Sequence, residues 1–98
     1  MKQFTKNITK TYYDQNYFNV GAKASINLGD HGENLLIILS NGQTIPSIIN
    51  RTININNRYV RFYGGIEWHQ FITNNYKPKS KIVFEISNRN TIKIIPNV

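Results

Sequence analysis

The chain has 98 residues and no cysteine, and its 12 Lys and Arg outnumber 5 Asp and Glu to give a formal net charge of +7. That length predicts one domain over residues 1–98, with a single core and neither disulfides nor a thiolate metal site to hold it. The longest apolar run, residues 35–39, is far short of the roughly 20 residues that a membrane span needs, and no apolar signal core follows the charged N-terminus. A soluble cytoplasmic protein with no membrane partner is expected.

In chain order, residues 3–9 alternate loosely and predict a first strand. Thr9 is placed to cap one helical turn over residues 10–14. A second strand is predicted over residues 17–20, ending near Gly21, and residues 27–33 form a loop broken by Gly29 and Gly32. The apolar run at 35–39 predicts a buried strand. It enters a hairpin at Ser40-Asn41-Gly42-Gln43, since Asn-Gly accepts positive φ at both turn positions. Pro46 assigns the returning strand, 44–49, to an edge or a bulge. Residues 50–58 are polar and asparagine-rich and read as a loop, before a strand at 59–63. After Gly64-Gly65, the residues Ile66, Trp68, Phe71 and Ile72 predict one apolar face of a short helix. Residues 81–86 and 91–95 read as closing strands around a turn at Asn88-Arg89-Asn90. The count is seven strands and two short helices, with no repeat and no linker, which suggests an all-β, nearly closed barrel.

The distribution of charge points to nucleic acid. No acid lies between Glu33 and Glu67, where Arg51, Arg58 and Arg61 fall, and Lys2, Lys6 and Lys10 precede any acid. A basic surface with two acid-free zones suits a two-part grip on phosphates; a basic surface kept for solubility is the competing reading.

The order of parts resembles the B3-type DNA-binding family, which includes plant transcription-factor domains and effector domains of bacterial restriction endonucleases. The resemblance is carried by Tyr63-Gly64-Gly65-Ile66-Glu67-Trp68-His69-Gln70-Phe71, the turn Tyr76-Lys77-Pro78-Lys79-Ser80 and the strand Ile82-Val83-Phe84-Glu85-Ile86. A second anchor is Phe4-Thr5-Lys6-Asn7-Ile8-Thr9-Lys10-Thr11, similar to the family's first strand and the turn after it. Lys79-Ser80 stands where the family has Gly-Asp, and Val20-Gly21-Ala22-Lys23 where it has Ile-Pro-Lys. The resemblance implies a seven-stranded open pseudobarrel with two short helices. It also implies two loop arms that read double-stranded DNA from the major groove, and a nuclease domain or subunit as partner. Low-GC residue usage suggests a bacterial or phage source.

By that resemblance the N-arm spans residues 10–23, with Lys10, Tyr12, Asp14, Gln15, Asn16, Tyr17, Asn19 and Lys23 as DNA-contacting candidates. The C-arm spans residues 50–58, with Asn50, Arg51, Thr52, Asn54, Asn56, Asn57 and Arg58. The chemistry suits base reading, because Asn pairs bidentately with adenine and Arg with guanine O6 and N7, each at about 1–3 kcal/mol of discrimination. Against this, an AT-rich genome also produces asparagine-rich loops. In a single helical turn Tyr12 and Tyr13 are not both expected to face the core, so one becomes a phosphate donor or surface packing. Trp68 and Phe71 could stack on bases, but their spacing favours the core. His31 and His69 are far apart and the five acids are scattered, so no catalytic residue, metal site or cofactor is expected. Two further readings are a small OB-like barrel that stacks single strands and a protein-interaction module that binds no nucleic acid.

Overall fold

In the computed structural model, which describes residues 2–54 and 58–96, eight strands and three helices are formed among the described residues. Their order is β1 (Lys2–Asn7), α1 (Lys10–Asp14), β2 (Tyr17–Asn19), α2 (Ala22–Ser25), β3 (Asn34–Ile38), β4 (Thr44–Ile48), β5 (Asn50–Asn54), β6 (Tyr59–Tyr63), α3 (Gly65–Asn75), β7 (Lys81–Asn88) and β8 (Thr91–Ile94). The strands make a five-stranded sheet in the order β1-β7-β8-β3-β4 and a three-stranded sheet in the order β2-β6-β5. The protein is therefore mainly β, and the two sheets do not close into a barrel.

Period-two alternation builds the inner faces. On β7, Ile82, Phe84 and Ile86 are buried while Lys81, Val83 and Glu85 alternate with them. Phe18 packs against Phe62, Phe84 and Trp68 at the centre, where Phe62 and Trp68 meet edge to face at 5.0 Å between centroids. Each such aromatic pair contributes about 0.5–1.5 kcal/mol beyond the area it buries. Helix α3 closes the core through Trp68, Phe71 and Ile72.

Several predicted features stand. Thr9 caps α1, its Oγ1 accepting from the Tyr12 amide. Pro46 lies on β4, an edge strand of its sheet, where a missing N–H costs no ladder bond.

Others are corrected. The eighth strand is β5, in the segment predicted as loop; pairing of Asn50 with Arg61 and of Asn54 with Tyr59 imposes extension on a segment whose asparagines are poor strand formers. The third helix is α2. The buried Ser25 hydroxyl donates to the Gly21 carbonyl and accepts from the Val60 amide, so α2 depends on a strand 35 positions away. Strand β3 is buried on one face only, with Leu36 turned out. The β3–β4 turn places only Gly42 at positive φ, because the Gly42 amide closes a turn onto the Leu39 carbonyl and Leu39 pairs with Gln43, so one left-handed residue completes the loop. Ile66, predicted on the apolar face of α3, is 69% exposed; it stands two residues, about 200° of helical rotation, from Trp68.

Candidate nucleic-acid interface

The segment predicted as the N-arm is not one loop. It folds as α1, then β2, then α2, and only Gln15 and Asn16 form an exposed bend. Strand β2 joins the three-stranded sheet beside β6, whose other neighbour is β5 from the predicted C-arm. Pairing sets Asn19 opposite Arg61 and Asn50 opposite Arg61, so the three side chains form one row across the sheet. Tyr17 pairs with Tyr63 in the next row. On β6, Val60 and Phe62 point into the core, which turns Tyr59, Arg61 and Tyr63 outward.

Arg61 is the centre of this face. Its Nε donates to Asn19 Oδ1 at 2.7 Å, and its guanidinium carbon lies 3.9 Å from the Tyr17 ring centroid. A long 3.5 Å contact joins Nη1 to the Tyr63 hydroxyl, and Nη2 has no protein partner among the described residues. The side chain is held at its base and presents its far donors outward, the geometry that bidentate recognition of a base or phosphate needs.

No described ion pair neutralises Arg61, Lys6, Lys23 or Arg58. The acids are engaged elsewhere: Asp14 with Lys10, Asp30 and Glu33 with Arg89, Glu67 with Gln43, and Glu85 with Gln3. Glu33 is held down to about 2 by the Asp30 backbone N–H and by hydrogen bonds from Arg89 and Asn90.

Among the predicted N-arm residues, Tyr12 is corrected to a core residue. Its ring packs against Phe18 and Tyr17, and burial pushes its hydroxyl up, partly offset by hydrogen bonding to Asn19. Tyr13 also packs against the core, so both tyrosines of this turn face inward. Lys10 and Asp14 pair with each other at 2.8 Å, one helical turn apart on an exposed surface. Gln15 and Asn16 are exposed, Tyr17 and Asn19 support Arg61, and Lys23 is exposed at the end of α2.

In the C-arm, Arg51 is turned inward. Nε donates to the Gly29 carbonyl, Nη1 to that of Arg58, and Nη2 to those of Ser25 and Leu28, all between 2.7 and 3.1 Å. Its backbone N–H donates to His31 Nδ1. Arg51 thus braces the β5–β6 hairpin against the α2–β3 connection, and those donors are not available to a base. Asn50 Oδ1 accepts from the Thr52 amide and hydroxyl, so Asn50 keeps its amide donors while Thr52 stands exposed. Arg58 is exposed at the hairpin with φ of 56°. Asn54 ends β5, and Asn56 and Asn57 lie outside the described residues.

Arg61, Tyr63 and Lys6 were not singled out as contacts from sequence. Arg61 lies in the acid-free stretch between Glu33 and Glu67, and alternation on Tyr59-Val60-Arg61-Phe62-Tyr63 sets it opposite two apolar residues, hence outward.

No protein-family model matches the sequence, and no curated protein matches it. A solved structure of a hypothetical Arabidopsis thaliana protein is similar in fold, with a TM-score of 0.64 and 13% identity over 96% of this chain and 87% of that chain.

Proposed function

We propose that this chain is a sequence-specific double-stranded DNA-binding module that reads a short site in the major groove. The observation that supports it most is the row Asn19–Arg61–Asn50, where the two segments resembling B3-type arms meet on one acid-free sheet face. Three adjacent strands span about 10 Å, and the major groove is about 12 Å wide. Arg61 reads guanine O6 and N7 through its outer donors, and Asn50 reads an adjacent base through its amide. Lys10, Lys23 and Arg58 contact phosphates and set the register. On this reading the two sheets, which no ladder joins, are an open pseudobarrel of the B3 type. Cleavage, where it accompanies recognition, belongs to another domain or subunit.

A second reading has one observation in its favour. Tyr17, Tyr59 and Tyr63 share the outer face of the three-stranded sheet, and Tyr63 is 44% exposed, as a platform for stacked single-stranded bases requires. Selection from a random duplex pool at about 0.15 M salt, beside a single-stranded pool, separates the two. A short enriched duplex motif, lost on Arg61→Ala, establishes the first reading. Enrichment of single strands alone establishes the second, and retention of neither pool rejects both.

A further inference from the structure

The strands β1 and β2 end their respective sheets and share no ladder, and a cleft of ≈ 410 Å³ lies between β1 and the segment 20–24. Lys6 reaches into it. On β1, Lys6 lies on the same face as Phe4, which packs against the core, so its stem is directed inward and only partly exposed. An ammonium in that position normally has a carboxylate or several carbonyl acceptors. Lys6 has neither among the described residues; what it has is the face of the Tyr12 ring, 6.0 Å from Nζ. Burial lowers its pKa, as expected for an uncompensated cation.

The surroundings leave room for an anion. Gly21 adopts φ of 90°, and a Cβ there would stand 3.4 Å from Nζ, so glycine keeps the approach to the ammonium open. Lys23 lines the outer side of the same cleft, and no acid lines it. Lys6 also adjoins the candidate interface, because Tyr12, under its ammonium, packs edge to face on Tyr17, the ring beneath Arg61.

We infer that the cleft between β1 and α2 is a phosphoryl-oxyanion site, in which Lys6 and Lys23 close on one phosphate from two sides. The proposed function rests on this inference for nothing; the inference rests on the proposed function only for its source, a backbone phosphate of the duplex lying over Arg61.

The experiment uses the full chain, its Lys6→Met and Lys6→Arg variants, and Lys23→Gln as a variant outside the partly buried position. Amide spectra are recorded with inorganic phosphate against chloride at matched ionic strength. Duplex affinity is measured as a function of salt on preferred and random sequences. The expected result is a phosphate-dependent shift at Gly21 that Lys6→Met abolishes and Lys6→Arg retains. In parallel, the salt slope falls by about one unit and affinity by about fivefold at 0.15 M salt, equally on both duplexes, for Lys6→Met and for Lys23→Gln. A Gly21 shift with an unchanged salt slope upholds the site and assigns it to a small phosphate compound rather than to DNA. If the native chain retains no duplex, the proposed function fails while the Gly21 shift still decides the cleft. Absence of both the shift and the slope change overturns the inference. So does self-association of Lys6→Met without either change, since Lys6 would then only guard the open edge of β1.

Discussion

The guanidinium carbon of Arg61 stands 3.9 Å from the centroid of the Tyr17 ring, while its Nε donates to Asn19, 42 positions earlier in the chain. Stacking on one side and a hydrogen bond at the base restrict a side chain that otherwise carries about 2 kcal/mol of rotamer entropy. The remaining donors are thereby set in place before any ligand arrives. Arg61→Ala is expected to weaken binding to the selected duplex by about 1–3 kcal/mol, a 5- to 150-fold loss, and to weaken random duplex much less. Arg61→Lys should not restore discrimination, because an ammonium lacks the two-pronged fork. Competition binding on both duplexes checks this; equal losses would make Arg61 a phosphate contact.

Arg51 answers to a different measurement. It bridges the carbonyls of Ser25, Leu28, Gly29 and Arg58, so removing it strips acceptors of their donor in the connection between α2 and β3. Arg51→Ala is expected to lower the unfolding free energy by about 1–3 kcal/mol, read as a shift of the urea midpoint at unchanged slope. Affinity for preferred and random duplexes should fall together. A selective loss on the preferred site, with stability intact, would return Arg51 to base reading.

Acid should destabilise the fold partly through Glu33. Its carboxylate is ordinarily protonated around 4.5, and here it is held down to about 2 by the Asp30 N–H, Arg89 and Asn90. A carboxylate with a depressed native pKa contributes stability that is fully present above 4.5 and is lost as pH falls from there toward about 2. Glu33→Gln should flatten that part of the stability–pH curve while lowering stability at neutral pH. Thermal unfolding of both proteins across this range checks it, and parallel curves would remove Glu33 from the account.

Gly64 ends β6 against α3, and a Cβ there would collide with the Cβ and Cγ of Trp68, which is fully buried among Phe18, Phe62 and Phe71. The colliding atoms belong to the root of a packed side chain and cannot swing away. Gly64→Ala is therefore expected to cost about 1–3 kcal/mol or more, with a change in Trp68 fluorescence as the indole is displaced. Gly65→Ala meets no atom within 4 Å, and its cost comes only from the positive φ of 67°. Equal, small effects at both positions would contradict the packing described.

Much of the local structure was legible because its causes are local. Thr9 caps α1 with its own hydroxyl, Pro46 confines β4 to an edge by lacking an N–H, and Trp68, Phe71 and Ile72 lie on one stripe of α3 by helical geometry alone. Alternation on β7 sorted Ile82, Phe84 and Ile86 inward. The candidate interface was legible only as a pair of acid-free segments. The strand in residues 50–54 was hidden, since the asparagines that begin and end it favour turns until β6 supplies ladder partners.

Local pattern alone thus specifies most of the strands, the core stripe of α3 and a basic surface. Beyond the pairs joined by tight turns, the neighbours of each strand and the destinations of the long side chains are settled by long-range packing. Strand β1 pairs with β7 across most of the chain, β3 runs parallel to β8, and β2 and β5 flank β6. From that arrangement follow the opposite fates of two arginines in the same acid-free stretch: Arg51 turns onto carbonyls, and Arg61 is held outward by Tyr17 and Asn19. The physical reason is range. Capping, proline and alternation act within a few residues, whereas a guanidinium chooses among acceptors brought to it by segments tens of residues away, and no local pattern encodes that choice.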